Sequence, residues 1–345
     1  MKGRNELLVG DARELLPTFA ESSVDCVITS PPYFRLRNYD QPNQIGLEPN
    51  VDGWVDELRG VLKQVSRVLK PTGSMWLNLG DTYSHNERDG ARPKSLLLGP
   101  ERLALAMTED GWVIRSKIIW AKTNPMPTSV RDRLSCTYEV LYLAVRSQHY
   151  YFDLDAIRAP HRSRLQGPSA ASARRAAEAR RPQWSGPLAG SNGGLDALKA
   201  RGLVGHPLGK NPGDVWTLPT SNDRGSHHAM FPLDLIRRPL LASCPEQVCA
   251  TCGIPWERAR ARMVGQIAVR GEVQARCSCG AATRPGLVLD PFMGAGTVAI
   301  AAEDNNRDWL GIELSPEFAR LAQQRIERAR DRRERGKPEH AADAA

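Results

Sequence analysis

Long apolar segments are absent from this sequence, and their absence excludes several classes of protein. No stretch is long and apolar enough to cross a membrane, and the N-terminus lacks the apolar core of a signal peptide. We therefore expect a cytoplasmic protein with no membrane partner. In that compartment cysteines stay reduced, so disulfide bonds are not expected.

An excess of acidic residues is also lacking. The chain has 47 lysines and arginines against 39 aspartates and glutamates, which gives a net charge of +8. A basic balance suits a polyanionic partner, although many basic proteins have none. The 345 residues are enough for one large domain with a smaller insert.

Apolar runs alternate with amphipathic segments along most of the chain. Residues 54–69 carry apolar side chains at helical spacing. Apolar runs at 24–28, 74–79 and 138–145 have the composition of buried strands. This alternation predicts an α/β fold with a mainly parallel sheet.

Residues 29–33, Thr-Ser-Pro-Pro-Tyr, directly follow the first predicted strand. Two consecutive prolines stiffen the chain and leave its carbonyl oxygens to accept hydrogen bonds. We predict that Ser30 Oγ and the carbonyl of Pro31 accept from an exocyclic amino group. Pro32 then completes the stiff loop, and Tyr33 offers a face on which a planar base stacks. The alternative is a proline turn in which the tyrosine only packs.

A second motif, Leu-Val-Leu-Asp-Pro-Phe-Met-Gly-Ala-Gly-Thr at 287–297, joins an apolar strand to a glycine-rich turn. Gly294 and Gly296 let the backbone pass close to a ligand. The dinucleotide fingerprint Gly-x-Gly-x-x-Gly is incomplete and no phosphate-loop lysine is present, which favours a ligand without phosphates. The next strand ends in Glu313, which either accepts from ribose hydroxyls or caps the helix near Pro316.

These motifs together resemble the amino-methyltransferases of DNA, whose catalytic loop is Asp, Asn or Ser followed by Pro-Pro and Tyr or Phe. Their cofactor turn is Asp-Pro-Phe-x-Gly-x-Gly-Thr. Because the catalytic loop here precedes the cofactor turn, the chain resembles the permuted β group of that family. The resemblance implies a Rossmann-like, circularly permuted sheet that binds S-adenosylmethionine. The implied cofactor residues are Asp11, Thr29, Asp290, Pro291, Phe292, Gly294, Gly296, Thr297 and Glu313.

The resemblance, the cysteine spacing and the local composition together divide the chain into segments. These are 1–157, the catalytic half; 158–226, a target-recognition insert that reads DNA; 227–243, a segment closing over the cofactor; 244–283, a zinc-binding insert; 284–330, the cofactor-binding half; and 331–345, a flexible tail. Arginines crowd the start of the recognition insert, which suits contacts to the phosphates of double-stranded DNA; a solvated linker is the alternative. The predicted contacts are Arg162, Arg164, Arg174, Arg175, Arg180 and Arg181.

Five of the seven cysteines lie within residues 244–279. Four of them form the pairs Cys249-x-x-Cys252 and Cys277-x-Cys279, which offer four thiolates to one tetrahedral metal ion. We predict a structural Zn²⁺ at these four, with no position open for chemistry. Reduced surface thiols are the alternative, and they would be prone to oxidation.

The resemblance implies direct transfer of a methyl group to the exocyclic amine of a base flipped out of the duplex. The Pro-Cys dipeptide of carbon-5 cytosine methylation is absent. Serine at position 30 favours N4 of cytosine, since Ser-Pro-Pro-Tyr members of the family are often N4-cytosine enzymes; N6 of adenine is the alternative. A non-catalytic DNA-binding module and a methyltransferase acting on RNA or protein stay open. The pattern does not decide the oligomeric state or a companion restriction endonuclease.

Overall fold

A computed structural model of the chain describes residues 3–161, 206–220, 231–259, 261–264 and 267–335. Its residues fall into two compact units. The first is drawn from residues 1–153, 213–257 and 275–345, and the second from 154–212 and 258–274. Both predicted sequence motifs lie in the first unit.

The helices of the described residues are α1 (Ala12–Leu15), α2 (Val51–Val68), α3 (Gly99–Glu109), α4 (Leu233–Ser243), α5 (Thr297–Asp304) and α6 (Pro316–Arg335). The strands are β1 (Glu6–Val9), β2 (Val24–Thr29), β3 (Leu69–Leu79), β4 (Val113–Lys122), β5 (Tyr138–Val145), β6 (Val215–Leu218), β7 (Val248–Cys249), β8 (Glu257–Arg258), β9 (Arg262–Val264), β10 (Ile267–Val269), β11 (Val273–Gln274), β12 (Thr283–Arg284), β13 (Leu287–Asp290) and β14 (Asp308–Glu313). Among these helices, none combines the length and apolar character needed to span a bilayer.

Eight strands form one sheet in the order β1-β14-β13-β2-β3-β5-β4-β6. Strand β5 is antiparallel to both of its neighbours, and the other neighbouring pairs are parallel. This confirms the predicted α/β fold with a mainly parallel sheet. Strand β2 pairs directly with β13 through Val27 and Leu289, so both motif-bearing loops leave the same edge of the sheet.

Helix α2 shows why the sequence pattern predicts this architecture well. The Asn50 side chain accepts from the Gly53 N–H at 2.8 Å and caps the helix. One face carries the apolar residues, and Trp54 and Val65 on it are essentially inaccessible to solvent. The helix passes into β3 at Leu69 without a loop, five residues earlier than the apolar run at 74–79 predicts.

Several predicted segment boundaries differ from the structure. Residues 213–220 fall outside the recognition insert, because β6 forms the edge of the main sheet and buries Trp216 against Trp76, with ring centroids 6.2 Å apart. Residues 154–157 belong to the second unit, not to the catalytic half. The predicted tail at 331 was wrong for its first five residues, since α6 continues to Arg335. Residues 336–345 lie outside the described part of the chain.

Of the predicted recognition insert, the described residues 158–161 and 206–212 belong to the second unit. Ala159 and Lys210 exchange two backbone hydrogen bonds of 2.9 Å, and Arg158 pairs with Asp155 at 2.6 Å. The predicted zinc-binding insert is divided, since its residues 258–274 belong to this unit and its four paired cysteines to the first. The six arginines predicted to contact DNA all lie outside the described residues.

Candidate active site

A cavity of about 400 Å³ lies at the carboxyl ends of neighbouring parallel strands in the first unit. Ser30 and Pro32 line it from the loop after β2. Phe292 and Gly294 line it from the turn after β13, and Glu313 lines it from the end of β14. The two sequence motifs therefore share one cavity, as ligand sites in open parallel sheets do.

Most of the predicted cofactor residues face this cavity, and three do not. The lining includes Asp11, Pro291, Phe292, Gly294, Thr297 and Glu313. Thr29, Asp290 and Gly296 are not part of the lining. At Gly296, φ is +77°, and an added Cβ would lie 3.3 Å from Ala322 and Ile326 of α6. This glycine therefore serves the packing of α6 under the turn, whereas the pattern predicted close approach to a ligand.

Asp290 connects the two motifs from within the core. Its carboxylate is inaccessible to solvent, and its Oδ1 accepts from Thr29 Oγ1 at 2.7 Å and from the Phe292 N–H at 3.0 Å. Burial raises the pKa of Asp290 to about 7. Among the described residues, its second oxygen has no hydrogen-bond partner. The Thr29–Asp290 bond thus joins the Ser-Pro-Pro-Tyr loop to the glycine-rich turn at the ends of β2 and β13.

Glu313 shapes the glycine-rich turn and lines the cavity at the same time. Its Oε2 accepts from the Gly294 N–H at 2.8 Å, and its Oε1 accepts from the Ser315 N–H at 2.9 Å. Burial raises the pKa of this carboxyl. Ser315 Oγ, not Glu313, accepts from the Phe318 N–H in the first turn of α6. The helix-capping alternative for Glu313 is thus not what the structure shows.

Asp11 brings an ion pair to the cavity wall. It caps α1 and pairs with Arg13 at 2.6 Å. Burial alone would raise the pKa of Asp11, but the hydrogen bonds from Arg13 outweigh it and lower the pKa. Arg13 also pairs with Glu57 at 2.7 Å. This wall is therefore charged and firmly oriented.

The Ser-Pro-Pro-Tyr loop is held rigidly. The indole N–H of Trp54 on α2 donates to the carbonyl of Pro32 at 2.9 Å. The Pro32 carbonyl thus accepts a hydrogen bond from within the protein. Pro31 is buried, and the residues described around the cavity include neither Pro31 nor Tyr33.

Tyr33 is held at both its ring and its hydroxyl. The ring lies so close to Gly80 that an added Cβ there would be 2.7 Å from Cε2. The hydroxyl donates to Glu139 Oε2 at 2.7 Å and lies 3.0 Å from Ser30 Oγ. Burial raises the pKa of Tyr33 well above its ordinary value, and the nearby carboxylate raises it further. The phenol thus stays protonated at neutral pH.

The similarity of this chain to known proteins shows the family to which it belongs. The family model described as DNA methylase matches residues 24–324. The chain belongs to that family. The type II methyltransferase M.SmaI of Serratia marcescens is 31% identical over 347 residues, covering 94% of this chain and 91% of that protein. M.SfiI of Streptomyces fimbriatus is 45% identical over 166 residues, which cover 46% of this chain and 39% of that protein. The resemblance drawn from the two motifs is confirmed.

Solved structures support the same fold. The PvuII DNA methyltransferase (cytosine-N4-specific) matches with a TM-score of 0.55 at 17% identity, covering 97% of this chain and 94% of that one. A Thermus thermophilus protein solved with S-adenosyl-L-methionine matches with a TM-score of 0.52 at 22% identity, covering 94% and 93%. At such identities the likeness shows the fold alone.

Three residues that no motif indicated surround Tyr33 of the Ser-Pro-Pro-Tyr loop in this methylase. Asn78 Nδ2 donates to the Tyr33 hydroxyl at 2.6 Å and to Glu139 Oε2 at 2.7 Å. Lys122 pairs with Glu139 Oε1 at 2.5 Å. We call Ser30, Tyr33, Asn78, Lys122 and Glu139 the Tyr33 network. In the sequence, the only indication of these three residues is a polar or charged side chain at or near the end of a strand.

Three aromatic side chains from outside the two sequence motifs also form part of the cavity wall. Tyr39, Phe231 and Phe318 line the cavity. The rings of Tyr39 and Phe318 meet edge to face, with centroids 6.0 Å apart. Phe231 lies just before α4, within residues 227–243, which are predicted to close over the cofactor. Tyr39 and Phe318 belong to no recognisable motif, and the sequence analysis missed them.

The four paired cysteines come together as their spacing predicts. The sulfur atoms of Cys249, Cys252, Cys277 and Cys279 all lie within 4.8 Å of one another. Strands β7 and β12 pair at the base of this cluster through Cys249 and Thr283. The fifth cysteine, Cys244, is fully buried in the core next to α4 and stands apart from the cluster.

Proposed function

We propose that this protein transfers a methyl group from S-adenosylmethionine to the N4 amino group of a cytosine flipped out of double-stranded DNA. One observation carries the proposal: Ser30 of the catalytic loop and Glu313 of the cofactor site line the same cavity. The family gives the reaction class, and the cavity supplies a place for donor and acceptor to meet. A DNA substrate also implies a cytoplasmic location.

The residues around the cavity fit the cofactor. A volume of about 400 Å³ lies within the range of small-ligand sites. The Glu313 carboxylate suits ribose hydroxyls, while Phe292, Phe318 and Tyr39 offer apolar faces to a planar ring. Asp290 is not part of the lining and holds the turn in place from the core, through the Phe292 N–H and Thr29. S-adenosylmethionine supplies the electrophilic methyl group when it is bound.

The chain's own residues supply positioning and hydrogen bonds. The lone pair of an exocyclic amine is delocalised into the base, so the amine is a weak nucleophile. Ser30 Oγ and the Pro31 carbonyl accept from its two N–H bonds and favour a more tetrahedral nitrogen. Tyr33 stacks on the flipped base. The rate enhancement comes from orientation and from hydrogen bonds that strengthen as charge develops.

The choice of cytosine N4 depends on Ser30. The structurally similar PvuII enzyme is cytosine-N4-specific by name, but at 17% identity it supports the fold and not the target base. Serine at the first position of the loop therefore carries this part of the proposal through the family resemblance. N6 of adenine is the competing target, and base flipping would serve both.

The arrangement of the chain supports circular permutation and a DNA-reading insert. Strand β2, which carries the catalytic loop, lies early in the chain and pairs with β13, which carries the cofactor turn. The part of the chain between them provides the second unit, where we place target recognition. The type II names of relatives such as M.SmaI suggest a companion restriction endonuclease.

We also infer a structural Zn²⁺ at the cysteine cluster. Sulfur atoms around a tetrahedral zinc lie about 3.8 Å apart, given a Zn–S bond of about 2.3 Å. The four sulfurs already lie within 4.8 Å of one another, so small side-chain movements suffice to bind the metal. Four thiolates close the coordination shell, and this zinc would then stabilise the fold without taking part in methyl transfer.

Nucleoside analysis of methylated DNA tests the proposed activity and its target base together. Duplex DNA is incubated with the protein and isotopically labelled cofactor, then digested and analysed by mass spectrometry. We expect labelled N4-methylcytosine, and a large loss of label with Ser30→Ala. Labelled N6-methyladenine would overturn the choice of base. Binding of DNA without any transfer would overturn the enzyme assignment in favour of a binding module, and preferential labelling of RNA or protein would replace the substrate.

A further inference from the structure

The geometry points to Glu139 as a positioning residue that makes Ser30 a hydrogen-bond acceptor for the target amine. This inference depends on the proposed methyl transfer. Glu139 stands near the start of β5, far along the chain from the catalytic loop, and no sequence motif includes it. Its side chain is 15% exposed, so its hydrogen bonds are largely shielded from competing water.

Both oxygens of Glu139 are engaged. Oε1 pairs with Lys122 at 2.5 Å, and Oε2 accepts from the Tyr33 hydroxyl at 2.7 Å. Asn78 Nδ2 lies 2.7 Å from the same Oε2. A carboxylate only accepts hydrogen bonds, so the single hydrogen of the Tyr33 hydroxyl points towards Glu139.

The direction of the Tyr33–Glu139 hydrogen bond determines the direction of the hydrogen bond between Ser30 and Tyr33. Tyr33 and Ser30 oxygens lie 3.0 Å apart, and one of the two hydroxyls must donate to the other. Since Tyr33 has already given its hydrogen to Glu139, the donor in this pair is Ser30. The hydrogen of Ser30 is therefore turned away from the cavity side, and its lone pairs are left to accept from an amine. Asn78 Nδ2, at 3.3 Å, is its more distant neighbour.

A glutamine at position 139 reverses this chain of bonds. Its amide oxygen stays with Lys122, so its N–H₂ faces the Tyr33 oxygen. Tyr33 then becomes an acceptor from residue 139 and donates its own hydrogen to Ser30 Oγ. That hydrogen occupies the lone pair that the amine needs. With Tyr33→Phe the relay is cut, and the identity of residue 139 no longer affects Ser30.

A double-mutant cycle in the full chain tests this relay. Methyl transfer to duplex DNA is measured for wild type, Glu139→Gln, Tyr33→Phe and the double variant, with kcat and KM determined separately. We expect Glu139→Gln to lower kcat by roughly 10-fold to 100-fold, with KM for the cofactor unchanged, because a charged hydrogen bond is lost. In the Tyr33→Phe background the same change should cost less than about threefold.

Glu101→Gln is the matched control. Glu101 pairs with Lys117 of β4 at 2.5 Å, as Glu139 pairs with Lys122, but its partner lies five residues earlier on the strand. We expect its kcat to stay within about twofold of wild type, as for a surface ion pair. If Glu139→Gln does not fold, Glu139→Ala takes its place with the same expected losses, because it also removes the acceptor of the Tyr33 hydrogen and leaves that hydrogen to Ser30.

The possible results distinguish a failure of the proposed methyl transfer from a failure of the hydrogen-bond relay. A wild-type protein that methylates no DNA contradicts the proposed function. If the wild type is active but Glu139→Gln lowers kcat by the same factor with and without Tyr33→Phe, only the relay is overturned. A rise in cofactor KM with unchanged kcat also overturns it, because Glu139 would then act on the cofactor site.

Discussion

Replacement of Gly80 by alanine tests whether the position of the Tyr33 ring controls methyl transfer. Gly80 follows β3, and an added Cβ would lie 2.7 Å from Tyr33 Cε2 and 2.8 Å from Cδ2. Non-bonded carbon atoms prefer separations of about 3.5–4.0 Å. The ring or the backbone must therefore move by roughly 0.8 Å or more.

The hydroxyl of Tyr33 limits how the ring can respond. Its 2.7 Å bond to Glu139 anchors one end, so the ring tilts away from its position instead of sliding freely. Overpacking of this kind costs about 1–3 kcal/mol of the free energy of unfolding. A misplacement near 1 Å at a reacting group can lower kcat by about 100-fold. We expect Gly80→Ala to reduce kcat by about 10-fold to 100-fold.

Gly60→Ala provides the control. Gly60 lies within α2, and none of the described atoms comes within 4 Å of a Cβ built there. Alanine in a helix interior should raise the free energy of unfolding by about 0.5–1 kcal/mol and leave kcat unchanged.

The assays are single-turnover methyl transfer, urea denaturation and calorimetric titration with S-adenosylmethionine. Gly80→Ala should lose rate and some stability while it keeps its affinity for the cofactor. A wild-type rate in Gly80→Ala would refute the reasoning, because the Tyr33 ring would then have no fixed role. Loss of cofactor affinity in parallel with rate would show that the damage extends beyond the catalytic loop.

Three further predictions follow from other parts of the structure. Glu313→Ala should weaken cofactor binding by about 10-fold to 100-fold through loss of a charged acceptor, and unchanged calorimetric affinity would contradict its assignment. Elemental analysis of protein purified without chelator should find one zinc per chain, absent in Cys252→Ser; metal-free, folded and active wild type would disprove the site. Burial alone would raise the pKa of Glu303, but hydrogen bonds from Arg330 and Trp309 outweigh it and lower the pKa to about 2. Because the folded pKa is lower than the unfolded one, the ionised carboxylate stabilises the folded protein above pH ~4.3, and this stabilisation is lost as the pH falls towards 2. Glu303→Gln should therefore lower the free energy of unfolding by up to about 3 kcal/mol at pH 7 and by much less at pH 3, as measured by denaturant titration.

The sequence by itself determined the fold class and the two ends of the site. Local patterns are enough to predict the fold class and the two motif-bearing loops. Apolar runs form buried strands, and the residues that follow each strand lie at the edge of the sheet. Parallel pairing of β2 with β13 then brings Ser30 and Gly294 to one cavity. The clustering of the four paired cysteines could also be predicted from the sequence, because the short spacing within each pair brings two sulfur atoms close together.

Only the tertiary structure decided which polar groups surround the catalytic loop. Glu139 stands 106 residues beyond Tyr33, and it reaches that side chain because β5 lies next to β3 in the sheet. Strand order of this kind leaves no mark in local periodicity. Burial of Asp290 and the edge position of Trp216 likewise depend on neighbours distant in the chain. Motifs therefore located the two loops that line the cavity, and long-range strand pairing determined which polar side chains surround the Tyr33 hydroxyl.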